Sequence, residues 1–129
     1  MESLIDTNIL IRLFVEDDKM KVDEIKALLN SDDKFLIPDI IIAEIIWVLS
    51  SFYKQDKTSV IEKISSLVCF KSIISNKDLI LNAINKWQYN NISFIDAYLL
   101  ATTEELNIKT FYTYDKKLSK LSKVKATEP

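Results

Sequence analysis

The sequence predicts an α/β fold, a mostly parallel central sheet with helices on both faces. Three observations carry that expectation. Short apolar runs rich in β-formers alternate with longer segments of helical periodicity, the pattern of βα units in one domain. A chain of 129 residues, 48% of them hydrophobic, can bury a core as one domain, residues 1–129, without disulfide staples. The strand candidates also end at Asp6, Pro38, Asn76 and Asp115 or just before them, residues suited to starting a helix.

In chain order, Leu4 and Ile5 form a short buried strand that stops at Asp6, and Thr7 to Val15 reads as a helix. Asp17 and Asp18 put negative charge at the start of the next helix, which runs to about Asn30. Val22, Ile25, Leu28 and Leu29 supply its apolar face. Phe35-Leu36-Ile37 is a second strand, stopped by Pro38, which suits the first turn of a following helix. That helix, Asp39 to Tyr53, is strongly apolar, and another covers Thr58 to Val68. Ser72-Ile73-Ile74-Ser75 makes a third strand. Asn76 caps a helix from Lys77 to about Tyr89, with Leu79, Ile80, Ala83, Ile84 and Trp87 inward. Ser93 opens a helix ending near Asn107, where asparagine takes the left-handed cap conformation in a chain that has no glycine. Thr110 to Thr113 is a strand, a helix follows Asp115, and Lys123-Val124-Lys125-Ala126 adds a short edge strand.

Absences narrow the chemistry. Without histidine there is no Ser-His-Asp triad, no imidazole base and no His zinc ligand. Without glycine there is neither a P-loop nor a dinucleotide fingerprint. The single cysteine, Cys69, permits no internal disulfide and fits a reducing cytoplasm. No signal peptide is expected, and the longest apolar run, Ile40 to Val48, is too short to span a bilayer and contains Glu44. Net charge is −2, but it is unevenly spread. Lys109 to Lys125 holds six lysines against Asp115 alone, a basic tract that can serve phosphate or simply solvate a helix.

Four carboxylates then stand out. Asp6 and Asp115 lie at strand-to-helix junctions, where Asp is also a favoured N-cap. Glu44 is mid-helix and caps nothing. Ile40, Ile41, Trp47 and Val48 are its neighbours at helical spacing, a setting in which a charge needs a lysine, Arg12 or a metal as partner. Asp96 completes a capping-box spacing with Ser93, yet Ile92, Leu99 and Leu100 surround it. Acids that meet at one sheet edge repel unless a cation holds them, and oxygen-only ligands suit Mg²⁺ or Mn²⁺. Such ions activate water for phosphoryl displacement.

With those residues in view the chain resembles a PIN-domain ribonuclease, specifically the VapC-like toxins of type II toxin–antitoxin pairs. The resemblance runs through Leu4-Ile5-Asp6-Thr7-Asn8, Ala43-Glu44, Phe94-Ile95-Asp96-Ala97 and Thr113-Tyr114-Asp115-Lys116, in order along nearly the whole chain. It implies a three-layer α/β/α fold and metal-dependent endoribonuclease activity. Asp6, Glu44, Asp96 and Asp115 are then the catalytic, metal-binding acids for Mg²⁺, with Mn²⁺ able to substitute. Asn8 and Thr113 become supporting polar groups, and Lys116, Lys117 and Lys120 candidates for the RNA backbone. The resemblance further implies a homodimer in the cytoplasm, held inactive by a cognate antitoxin and needing no membrane. Arg12 is the only arginine, so bidentate phosphate contacts are scarce. Two alternatives stay open: a non-catalytic RNA- or protein-binding module whose acids are caps and ion pairs, and a metal-dependent phosphohydrolase. The latter fits less well, because Asp6-Thr7-Asn8 stands where an Asp-x-Asp pattern is wanted.

Overall fold

Parallel strand pairing organises the first half of the chain. The structure, a computed structural model, describes residues 2–129, and they form two compact units, residues 2–77 and 78–129. In the first, β1 (Glu2–Leu4), β2 (Lys34–Leu36) and β3 (Ile73–Ile74) make a sheet in that order, all parallel. Ser3 lies opposite Phe35, and Phe35 opposite Ile73. Parallel neighbours require crossovers, and helices supply them. α1 (Thr7–Val15) and α2 (Lys19–Leu29) join β1 to β2; α3 (Asp39–Trp47) and α4 (Lys57–Val68) join β2 to β3. α3 runs on into one wider π-helical turn, Val48–Phe52, where the Tyr53 N–H reaches back to the Val48 carbonyl at 3.2 Å. α1 packs on both α2 and α3, and Leu10, Ile42, Ile45, Leu49 and Ile64 are fully buried. Each such side chain contributes about 1.5–3 kcal/mol relative to exposure.

The second unit holds α5 (Lys77–Tyr89, all but its first residue), α6 (Phe94–Glu105), β4 (Thr110–Tyr112), α7 (Lys116–Leu121) and β5 (Lys125–Thr127). β4 and β5 pair in parallel, with Phe111 opposite Ala126. Trp87 of α5 meets Phe94 of α6 edge-on, ring centroids 5.8 Å apart, and Ile80, Ala83 and Ile84 bury the same side of α5. Among the described residues no helix is long and apolar enough to cross a membrane.

Every strand pair is parallel, as expected, but the pairing falls into two ladders. Several boundaries differ from the sequence reading. β1 ends at Leu4 and is exposed throughout, Leu4 at 69%, while Ile5 just beyond it is buried. A strand with one neighbour has an open side, so burial falls to the residue that turns inward after the ladder. β2 ends at Leu36, although the Ile37 N–H still bonds the Ile74 carbonyl at 2.9 Å. Leu28 is exposed, because the buried stripe of α2 follows Val22, Ile25 and Leu29 at spacings of three and four. Pro38 is the N-cap of α3 and Asp39 its first helical residue. Asn107 takes the left-handed conformation, φ 52°, and Glu16 and Lys54 do the same.

One charged network ties α5 to α6. Lys86 ion-pairs with Glu104, both side chains largely buried, and Asn82 Nδ2 donates to Glu104 Oε1 at 3.2 Å and Glu105 Oε1 at 3.1 Å. Burial by itself raises the Glu104 pKa, but the hydrogen bonds from Lys86 and Asn82 and the Lys86 and Lys123 charges outweigh it and hold the carboxyl below the ordinary glutamate value. A carboxylate with a depressed folded pKa adds stability that is complete above the unfolded value and lost as pH falls through the folded one. Acid unfolding should therefore be more shallow in Glu104→Gln than in the wild type below about pH 4, read by melting temperature against pH. At neutral pH Lys86→Met should lose about 1–3 kcal/mol, since it leaves Glu104 without its cation.

Candidate active site

Parallel pairing sets all three strand ends of the first unit at one edge, and each passes directly into polar residues. β1 leads through Ile5 to Asp6, β2 through Ile37 to Pro38 and Asp39, and β3 to Ser75 and Asn76. Asp6 is exposed and serves as the N-cap of α1, its Oδ1 accepting from the Ile9 N–H at 3.3 Å. Asn8 is exposed in the first turn of the same helix. Thr7 between them is buried, and its hydroxyl has no hydrogen-bond partner. Asp39 was not singled out in the sequence although it stands at this edge. Asn76 Nδ2 donates to both its carboxylate oxygens, at 3.1 and 3.2 Å, joining the end of β3 to the start of α3. The signal that could have found it is the one that found Asp6, an acid just beyond an apolar strand.

Glu44 requires a correction. The helical spacing placed it among Ile40, Ile41, Trp47 and Val48 as a costly charge in apolar company. It is exposed, and so are Ile40 at 75% and Trp47 at 65%. The buried stripe of α3 is Ile42, Ile45 and Ile46. The helix is so rich in isoleucine that its core-facing side cannot be told from periodicity. The desolvation argument for a bound cation at Glu44 therefore falls. Its rival falls too: among the described residues Glu44 makes no ion pair with a lysine or with Arg12, which is paired to Asp17 at 2.8 Å.

In the second unit the other two acids sit at helix starts. Ser93 is the N-cap of α6, its Oγ accepting from the Asp96 N–H at 3.1 Å, which is the N-cap half of a capping box. Asp96 is half-buried, Leu100 is buried, and Leu99 is exposed rather than part of a closed apolar shell. Asp115 is the exposed N-cap of α7, its Oδ1 accepting from the Leu118 N–H at 3.0 Å. Thr113 supports it directly: Thr113 Oγ1 accepts from the Asp115 N–H at 3.0 Å. α6 packs on α7, and Lys117 Nζ donates to the carbonyl of Asn91, two residues before Ser93. That bond ties the start of α7 to the loop before α6. Lys117 thus has a structural task, whereas Lys116 and Lys120 are exposed on α7.

Among the described residues no group of three or more Asp, Glu or Cys side chains is placed to hold a metal ion. Two of the four acids belong to each unit, and a carboxylate suits a hard cation: Mg²⁺ commonly takes one or two carboxylates and keeps waters or substrate phosphates for its other positions. An apolar cleft of about 440 Å³ in the first unit, lined by Leu13, Phe14, Leu29, Leu67 and Phe70, contains none of these acids. It lies by the carboxyl ends of α1, α2 and α4, where β2 and β3 begin rather than end.

A family model described as PIN domain matches residues 3–124, a stretch that includes all four acids. No curated protein matches the chain. Among solved structures, the sarcin-ricin loop cleaving toxin VapC20 of Mycobacterium tuberculosis is similar at 13% identity and a TM-score of 0.43, covering 94% of this chain and 95% of its own.

The cap and the candidate ligand role of Asp115 can be separated. Serine also caps helices, so Asp115→Ser should hold stability to within about 0.5 kcal/mol while Asp115→Ala loses about 1 kcal/mol. Any rise in melting temperature produced by Mn²⁺ should shrink in both variants, because both remove the carboxylate.

Proposed function

The chain belongs to the PIN domain family, and from that premise we propose that it is an endoribonuclease dependent on Mg²⁺ or Mn²⁺, the toxin of a toxin–antitoxin pair. The observation that carries the reading is the family match across residues 3–124 together with the four acids inside it, each in an element whose start or face is open to solvent. Asp6, Glu44, Asp96 and Asp115 are the carboxylates we assign to metal binding. When bound, such an ion activates water and offsets charge on the phosphate.

The remaining tasks belong to the chain itself. Thr113 fixes the backbone from which Asp115 projects, and the N-cap bond to Leu118 holds one carboxylate oxygen in place. The second oxygen is then presented in a defined direction, which is the kind of support that makes a ligand group effective. Lys116 and Lys120 offer ammonium groups to the RNA backbone next to Asp115. A homodimer, a cytoplasmic location and an antitoxin that covers the acids complete the reading, and they rest on the likeness of the ordered motifs.

A non-catalytic binding module is the second reading, and the capping roles of Asp6 and Asp115 favour it. Cleavage of structured RNAs by purified protein, with Mg²⁺, with Mn²⁺ and with chelator, separates the two. Cleavage should require the ion, and Asp96→Asn should reduce it by more than the about 10–100-fold loss typical of a residue that merely supports a ligand. An Asp96→Asn protein as active as wild type, or activity untouched by chelator, would remove the metal-dependent reading.

A further inference from the structure

The second unit has an exposed face that the acids do not use. β4 and β5 pair with Thr110 opposite Lys125 and Tyr112 opposite Thr127. Paired residues, and residues two apart, stand on the same side of a sheet. Thr110, Tyr112, Lys125 and Thr127 therefore share one face, and Phe111 and Ala126 the other. The Thr113 N–H bonds the Thr127 carbonyl at 3.1 Å, carrying the ladder one residue past β4. Tyr114 follows two residues after Tyr112, at the bend where the chain leaves β4 for α7.

Both rings are open to solvent, Tyr112 at 64% and Tyr114 at 73%, and neither stacks on another ring among the described residues. Large aromatic side chains left in water forgo the free energy that burial would bring. These two lie within the tract from Lys109 to Lys125, where six lysines face one acid. Lys125 is exposed on the face that Tyr112 occupies, and Lys116 and Lys120 follow on α7. An occupant that meets both features needs repeated negative charge and flat apolar surfaces in alternation. An unpaired nucleic-acid strand has both; a duplex hides its base faces in its own stack.

We propose that Tyr112 and Tyr114 are a stacking platform for successive unpaired bases of an RNA strand, whose phosphates are met by Lys125, Lys116 and Lys120. That the polymer is RNA rests on the ribonuclease reading; the platform adds how the strand is held. Asp115 directly follows Tyr114, so bases stacked there place the adjoining backbone beside a candidate ligand acid. Stacking tolerates every base, so sequence preference at these two positions is weak and single-strandedness is what is selected.

The test is equilibrium binding in chelator, where no ion is present to support cleavage, by fluorescence anisotropy of a labelled unstructured oligoribonucleotide and of the same strand annealed to its complement. The single strand should bind more tightly at equal salt. Tyr112→Ala combined with Tyr114→Ala should weaken single-strand binding about tenfold or more, leave duplex binding as it was, and keep the melting temperature, since both rings are exposed. Phenylalanine at both positions should restore binding. Lys116→Ala with Lys120→Ala should instead weaken both forms and reduce the salt dependence. Wild-type affinity in the double alanine variant, or preference for duplex, would overturn the platform, assign this face to a protein partner and leave the ribonuclease reading standing. A wild-type protein that binds neither form at low salt would overturn both.

Discussion

Parallel strand pairing is the constraint on which the rest depends. Strands that run the same way end at the same edge, and each must hand over to a helix that returns the chain to the other side. The helix starts therefore collect where the strands stop. A helix start needs an acceptor for its free N–H groups and favours negative charge. Acids at Asp6, Asp39 and Asp115 are thus consequences of topology before they are anything else, and the cap bonds at Asp6 and Asp115 are what that requirement looks like in place. Any chemistry at these edges is built on groups the fold needs anyway.

That double duty also explains what the sequence could and could not disclose. Helices with one polar face were legible almost to the residue: α1 starts at Thr7 and ends at Val15 as read, and α5 buries Ile80, Ala83, Ile84 and Trp87. The caps at Asp6, Ser93 and Asp115 were legible because their chemistry is local. The strands were less so. Two or three residues are too few to show a period, and the open side of β1 shifted burial from Leu4 to Ile5. α3 was the clear failure, since Ile40, Ile41, Ile42, Ile45 and Ile46 allow several apolar stripes and only packing chooses among them. Glu44 lost its argument from burial for that reason alone. Asp39 carried the same local signal as Asp6, but its bond to Asn76 spans 37 residues, and long-range pairing leaves no mark in local spacing.

The lysine tract shows the same limit from the other side. Charge counting weighed a phosphate site equally against a solvated helix, and the structure divides the lysines by task. Lys117 holds the Asn91 carbonyl and so ties the start of α7 to the loop before α6, while Lys116, Lys120 and Lys125 stay exposed. Only strand register reveals that Lys125 lies on the side of the sheet that carries Tyr112. Neither residue suggested a site by its position in the sequence.

A capping role and a ligand role need not compete at Asp115. A carboxylate has two oxygens, and the Leu118 N–H uses one of them. The cap removes rotational freedom that a free side chain would have to surrender on binding a cation, so part of the entropic cost is already met by folding. The helix N-terminus works in the opposite sense, because its partial positive charge offsets the carboxylate and weakens its pull on a cation. In the proposed ligand role, Asp115 would be well aimed but modest in strength. Such a group would hold an ion chiefly when a phosphate supplies further oxygens, which couples cation binding to the arrival of the substrate.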